Sequence, residues 1–325
     1  MTFFLTARRH LLLSACLVGV TAAHAAPLID KPVTLVVGFA PGGAADTVAR
    51  ALADELGKRI EQRVVVENKS GAGGNLATQF VATGPTDGSV LLFAAINLAT
   101  NPALMPLKYD PKADLQMVSQ ITSVPVVMLA PATGSIGSAA DALREAKKVG
   151  GLKIGSGGNG TSSHLAAELF ARSQGATFVH VPYRGGAPAN QALMAGDIEL
   201  MFDLMSGTLK SMVDGQRIRP LAVMQETRLA ALPDVPSAKE IKLSPSTYIR
   251  SWQGIAVRSG TPKPIVDALH AAVVAAASTP AFKARVDLLG SEVTTSPSPA
   301  AFQQLYRSEL DRWADVIKAA NIKVE

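Results

Sequence analysis

The sequence contains a single cysteine, Cys16, within its first 25 residues. Residues 26–325 therefore offer no thiol for catalysis, disulfide bonding or metal ligation. Histidine is almost as scarce. Beyond His10 and His24 only His164, His180 and His270 remain, with no HExxH and no i, i+4 pair, so no zinc site is expected. Neither a GxSxG nucleophile elbow nor a GxxxxGK[ST] phosphate loop occurs. Aromatic residues make up 5% of the chain, too few for a base-stacking platform, and Lys and Arg form no cluster. These absences argue against nucleic acid as a partner. They leave no catalytic residue, metal ligand or cofactor site to nominate, and the chain is not expected to be an enzyme.

No apolar run reaches the roughly 20 residues that a membrane-spanning helix needs. The longest, Leu11 to Val20, follows Arg8 and Arg9 and precedes Ala23-His24-Ala25, a small-x-small cleavage pattern. Residues 1–25 thus read as an export signal cut near Ala25/Ala26, which implies a periplasmic location. Leu13-Ser14-Ala15-Cys16 has the outline of a lipobox. The apolar run continues past it, so cleavage is expected in place of lipid anchoring at Cys16. Without Arg8 and Arg9 the net charge falls from +5 to +3, a mildly basic balance compatible with an anionic small ligand.

The remaining chain has the length of about two domains, and strand and helix patterns alternate along it. Val33–Val37, Arg63–Glu67 and Val90–Ala94 read as strands, with helices over about 45–60 and 75–82. Leu152–Gly155, Phe178–Val181, Ile198–Phe202 and Leu221–Met224 repeat the pattern, with helices at 161–173 and 188–195. Such alternation predicts parallel sheets built from βαβ units. Helices at 264–278 and 299–320 close the chain, the second with a core stripe of Phe302, Leu305, Leu310, Trp313 and Ile317. Val124–Pro131 and Trp252–Val257 read as crossovers. The expected architecture is two-lobed α/β, a hinged clamshell with each lobe a mainly parallel sheet flanked by helices. Lobe 1 takes residues 26–126 plus 252–325, and lobe 2 takes 127–251.

Two glycine-rich loops carry the functional signal, Gly38–Gly43 and Gly155–Ser163, each between a strand and a helix. A helix N-terminus exposes unpaired N–H groups and partial positive charge, and glycine lets a ligand approach them closely. Ligands of open α/β sheets bind at strand carboxyl ends. Two such loops, one per lobe, would grip an anion from both sides without a lysine or arginine. Asp46 would either complement the dipole of its helix or accept a hydrogen bond from the ligand. Thr161, Ser162 and Ser163 would cap a helix, contact ligand, or both. His164 is expected at the loop rim. Asp203 follows the strand ending in Phe202, where it could touch ligand or start a turn. Gly155, Gly157 and Gly160 also spell GxGxxG, but no acidic residue follows in Phe178–Tyr183 to hold a ribose.

The chain resembles a known family at GFAPGGAADTVAR from Gly38, VVVENKSGAGGNLA from Val64 and GGNGTSSHLAAELF from Gly157. The likeness continues in HVPYRGGAPA from His180, LAALPDVPSAKE from Leu229 and SWQGIAVRSGTP from Ser251. These segments are similar to the Bug-type, or TctC-like, receptors of tripartite tricarboxylate transporters. The resemblance implies a type II periplasmic binding protein fold that closes over its ligand like a Venus flytrap. It also implies a small carboxylate ligand (a di- or tricarboxylate, an amino acid or an aromatic acid), delivery to membrane permease subunits, and a monomeric receptor. Carried over position by position, it implies ligand contacts at Phe39, Ala40, Gly42, Gly43, Asp46, Asn97, Gly158, Thr161, Ser162, Ser163, His164 and Asp203. Arg184 stands where the family pattern has lysine, and Ile241–Ser244 departs from its usual glycine-bearing stretch. The alternatives are an orphan sensor of the same fold that signals to a membrane kinase, and a nucleotide-dependent enzyme.

Overall fold

The computed structural model describes residues 29–148 and 151–324; the signal-peptide and Cys16 expectations fall outside them. The first half opens with β1 (Val33–Val37), α1 (Ala44–Ile60), β2 (Val64–Asn68), α2 (Asn75–Ala82), β3 (Val90–Ala95) and α3 (Asn97–Leu104). β4 (Leu115–Pro131) leads into the second half. There follow α4 (Ala139–Glu145), β5 (Leu152–Ser156), α5 (Ser162–Ser173), β6 (Phe178–Pro182), α6 (Gly186–Ala195), β7 (Leu200–Leu204), α7 (Gly207–Asp214) and β8 (Ile218–Val223). β9 (Arg250–Arg258) returns the chain to the first half, which ends with α8 (Lys263–Ala277), α9 (Pro280–Asp287), β10 (Glu292–Val293) and α10 (Pro299–Ala319).

The strands run in the order β2-β1-β3-β9-β4-β7-β5-β6, with β8 and β10 also paired to β4. β1 is parallel to β2 and β3, and β5 is parallel to β6 and β7, as βαβ connections require. The two expected crossovers are not free connectors. β4 begins at Leu115, well before Val124, and pairs antiparallel with β9 as far as Pro125 before passing to β7 and β8. Val124 lies opposite Ser251 and Pro125 opposite Arg250, so the two passages between halves are bonded to each other. Seventeen residues of near-continuous burial in β4 hide the alternation by which a strand is usually recognised.

Alternate residues of each strand feed two cores, one on each face of the sheet. Val36, Leu92 and Ala94 join Phe170, Phe202, Trp252 and Phe302 on one face. Leu35, Val37, Leu91 and Phe93 join Leu52, Met201, Leu209 and Ile255 on the other. The last helix fastens the returning chain. Ser298 caps it by accepting from the Ala301 amide, with Pro299 in the first turn. Phe302, Tyr306, Leu310, Trp313 and Ile317 then recur on one buried stripe, as the periodicity implied, with Leu305 only partly buried. Trp252 meets Phe302 and Tyr306 edge-on at 5.6 and 6.3 Å. The Glu309 carboxylate accepts the indole N–H groups of both Trp252 and Trp313, at 3.2 and 3.0 Å.

Candidate functional site

The carboxyl end of β1 and the start of α1 are shaped by one acidic side chain. Gly42 has φ +82°, which a side chain would strain. Its amide donates to the Asp46 carboxylate at 2.9 Å, and that carboxylate also accepts from Arg50 and Asn68. Burial pushes the Asp46 pKa up, but the bonds from Arg50, Gly42 and Asn68 outweigh it and hold the group below the ordinary carboxylate value. Asn68 also donates to the Phe39 carbonyl at 3.0 Å. The loop is thereby fixed, and the N-terminus of α1 is left facing the other half.

The second loop is organised from within. The Gly157 amide donates to Ser163 at 2.8 Å, the Gly158 amide to Ser156 at 3.1 Å and the Gly160 amide to Nδ1 of His164 at 3.2 Å. The Thr161 hydroxyl donates to the Gly158 carbonyl and accepts the His164 amide, capping α5. Behind the loop, His164 stacks on His180 with ring centroids 4.1 Å apart and 14° between the planes. Nε2 of His180 lies 2.7 Å from the Ser156 hydroxyl. Burial, with a smaller contribution from His180, lowers the His164 pKa to about 3; burial alone lowers that of His180 to about 4. Both rings are neutral supports at neutral pH.

The loops meet across a cavity of about 50 Å³. Phe39, Gly43–Ala45 and Ala95–Asn97 form its first wall, and Gly157, Thr161–Ser163, Gly186, Asp203 and Leu204 form the second. Ser251 and Gln253 of β9 also line it. The two halves touch directly around it. The Ala40 amide donates to the Arg184 carbonyl at 2.9 Å, and the Thr100 hydroxyl donates to the Gly160 carbonyl. Among the described residues, no Lys, Arg or His side chain lines the cavity. The one acidic side chain that lines it among the described residues is Asp203, whose oxygens accept from the Leu204 amide and from Asn190, each at 2.9 Å. Burial pushes its pKa up to about 7.

Of the residues singled out in the sequence, Phe39, Gly43, Asn97, Thr161, Ser162, Ser163 and Asp203 line this cavity. Five others do not. The Ala40 amide is spent on Arg184, and Gly42 and Asp46 bond to each other. Gly158 lines an adjoining larger cavity of about 400 Å³, beside Gly71–Gly74 and Arg184. His164 is wholly buried and lies behind the loop, not at its rim. Gly186, Ser251 and Gln253 were not anticipated. The glycine pair Gly185-Gly186 ahead of α6 was a readable signal; the two β9 residues lie in a segment that carries the family likeness, but no local pattern places them at the site.

Comparison with known proteins gives a consistent result. The family described as "Tripartite tricarboxylate transporter family receptor" matches residues 48–322. A "UPF0065 protein in tcbD-tcbE intergenic region" from Pseudomonas sp. (strain P51) is 32% identical over 316 residues, covering 95% of this chain and 94% of its own length. Among solved structures, the periplasmic binding protein BugD is 30% identical with a TM-score of 0.84, covering 91% of this chain and 99% of its own. MatC from Rhodopseudomonas palustris with bound malate is 32% identical with a TM-score of 0.82, over 89% and 99%. R. palustris Rpa4515 with adipate is 31% identical with a TM-score of 0.84, over 90% and 98%. The architecture is thus the two-lobed α/β fold of periplasmic binding proteins.

Proposed function

The chain belongs to the tripartite tricarboxylate transporter receptor family, and from that premise we propose that it captures a small carboxylate in the periplasm and presents it to the membrane permease subunits of such a transporter. The observation that carries this reading is the cavity itself. The N-terminal turns of α1 and α5 converge on it from opposite halves. Helix N-termini attract anions through free N–H groups and dipole, so a carboxylate needs no buried lysine here. In this reading residues 26–126 and 252–325 move against 127–251 about β4 and β9. Ligand selects the closed arrangement because only there do both loops reach it. The receptor acts as a monomer after cleavage near Ala25/Ala26, and no chemistry is performed on the ligand.

A dinucleotide on Gly155-x-Gly157-x-x-Gly160 fits poorly. The Gly157, Gly158 and Gly160 amides that would cradle a pyrophosphate already donate to Ser163, Ser156 and His164. A thermal-shift screen of residues 26–325 against small carboxylates and amino acids tests the proposal. A ligand specific for the folded state adds about 2.7 kcal/mol at a hundredfold excess over its dissociation constant. A shift with one or two acids supports the receptor reading and identifies the ligand. No shift with any acid, in folded and ligand-free protein, overturns it.

A further inference from the structure

Along β9 the side chains alternate. Trp252 packs against Phe302 and Tyr306 on one face, and Ser251 and Gln253 line the cavity on the other. Gln253 is wholly buried. Thr122 lies opposite it on β4 and donates its hydroxyl hydrogen to Oε1 of Gln253 at 2.8 Å. That bond sets the orientation of the amide and leaves Nε2 without a partner among the described residues. Buried N–H groups without an acceptor are uncommon in folded proteins, and one on a cavity wall calls for an acceptor that the protein does not itself supply. Apart from the Ser162 hydroxyl at the head of α5, the other polar side chains of the wall are already engaged, Ser251 with the Trp252 carbonyl. Asn97 donates to the Gly73 carbonyl, Thr161 and Ser163 bond within their own loop, and the Asp203 carboxylate accepts from Asn190 and Leu204.

We propose that Gln253 is a second polar anchor for the ligand, donating from Nε2 to an oxygen other than those of the carboxylate held at the helix ends. The receptor then selects acids with a second acceptor oxygen, in a hydroxyl, oxo or further carboxyl group, over plain monocarboxylic acids of equal length. This rests on the reading of the cavity as a carboxylate site. A neutral amide registers the oxygen without neutralising a charge. It also sits on one of the two strands that pass between the halves, so a bound acid spans both helix ends and the strands about which they move.

Calorimetry with matched acids tests this: succinate and malate against butyrate, 2-oxoglutarate against pentanoate, adipate against hexanoate. The folded wild type is expected to bind at least one bifunctional acid tenfold or more tighter than its monocarboxylate partner. Gln253→Leu is expected to bring that ratio to within about threefold. Gln253→Glu keeps the bond to Thr122 but replaces the donor with an acceptor, and is expected to lose at least as much; being isosteric, it decides the matter if the leucine variant does not fold. An unchanged preference in either folded variant, or a wild type that favours the monocarboxylates, overturns the role of Gln253 and leaves the receptor reading standing. Failure of the folded wild type to bind any acid overturns both.

Discussion

The hydroxyl of Thr100 in α3 donates to the carbonyl of Gly160 at the head of the second loop, joining the two halves. Both residues are fully or almost fully buried, so an opening movement breaks this bond and exposes its groups. Thr100→Val keeps the shape and removes the donor. A neutral hydrogen bond contributes about 0.5–1.5 kcal/mol, here to the closed arrangement alone. The expected result is a two- to tenfold weaker affinity for every ligand, about equal across a panel, because the bond does not touch the ligand. A change in ligand preference by calorimetry would count against it.

Stability should depend on pH through two opposed pairs of residues, two carboxyl groups and two imidazoles. Asp203 has its pKa raised by burial from 3.8 to about 7, so its contribution is full below about pH 4 and is lost as pH rises to 7. Glu168 is shifted in the same sense by burial, against the pull of Arg172. His164 and His180 are lowered from 6.5 to about 3 and 4, so their contribution is full above about pH 6.5 and is lost on acidification. Each group changes stability by at most about 1.4 kcal/mol per pH unit in its window. Asp203→Asn removes the Asp203 part of the falling component and leaves that of Glu168, so urea unfolding between pH 4.5 and 7.5 should show stability rising more steeply with pH than in the wild type. An unaltered profile would mean that Asp203 is ionised throughout the range.

How far the sequence reached depended on how local each cause was. The loops at Gly38–Gly43 and Gly155–Ser163 were legible because a strand end, glycines and a capping residue are neighbours in the chain. That Thr161–Ser163 would face Phe39 and Gly43 followed from the two-lobed fold. His164 was misplaced because its surroundings come from elsewhere: His180, on β6, supplies the ring on which it stacks. Asp46 offered two equal roles until Arg50 and Asn68 were seen to consume its oxygens. Gln253 reaches the cavity only through the pairing of β9 with a strand about 130 residues earlier, and no local pattern records that.

The three hydroxyls that open α5 should be separable. Those of Thr161 and Ser163 are hydrogen-bonded within the loop, whereas Ser162 lines the cavity and makes no side-chain hydrogen bond among the described residues. Ser162→Ala should therefore cost affinity, about 0.5–1.5 kcal/mol for one neutral bond, with the melting temperature of the ligand-free protein unchanged. Ser163→Ala leaves the buried Gly157 amide without its acceptor and should lower that melting temperature as well. Equal effects on both quantities from the two variants would mean that Ser162 also serves the loop and not the ligand.

Closure itself can be tested at Gly73, just before α2. A β-carbon there would lie 2.2 Å from the carbonyl oxygen of Asn159 in the opposite half, and the residue has φ +60°. Two effects must be separated in Gly73→Ala. The backbone conformation costs an alanine roughly 1–2 kcal/mol wherever the halves lie, whereas the clash exists only when they are together. Gly175 supplies the control: its φ is +61° and none of the described residues lies within 4 Å of the added carbon. Both alanine variants should lose a similar few degrees of melting temperature without ligand. Only Gly73→Ala should lose affinity, by tenfold or more, and only it should fail to contract in small-angle scattering when a saturating acid is added to the wild type's contracting concentration. If Gly73→Ala binds as the wild type does, the contact between Gly73 and Asn159 is not part of the ligand-bound state, and the arrangement of the two halves around the cavity must differ when an acid is present.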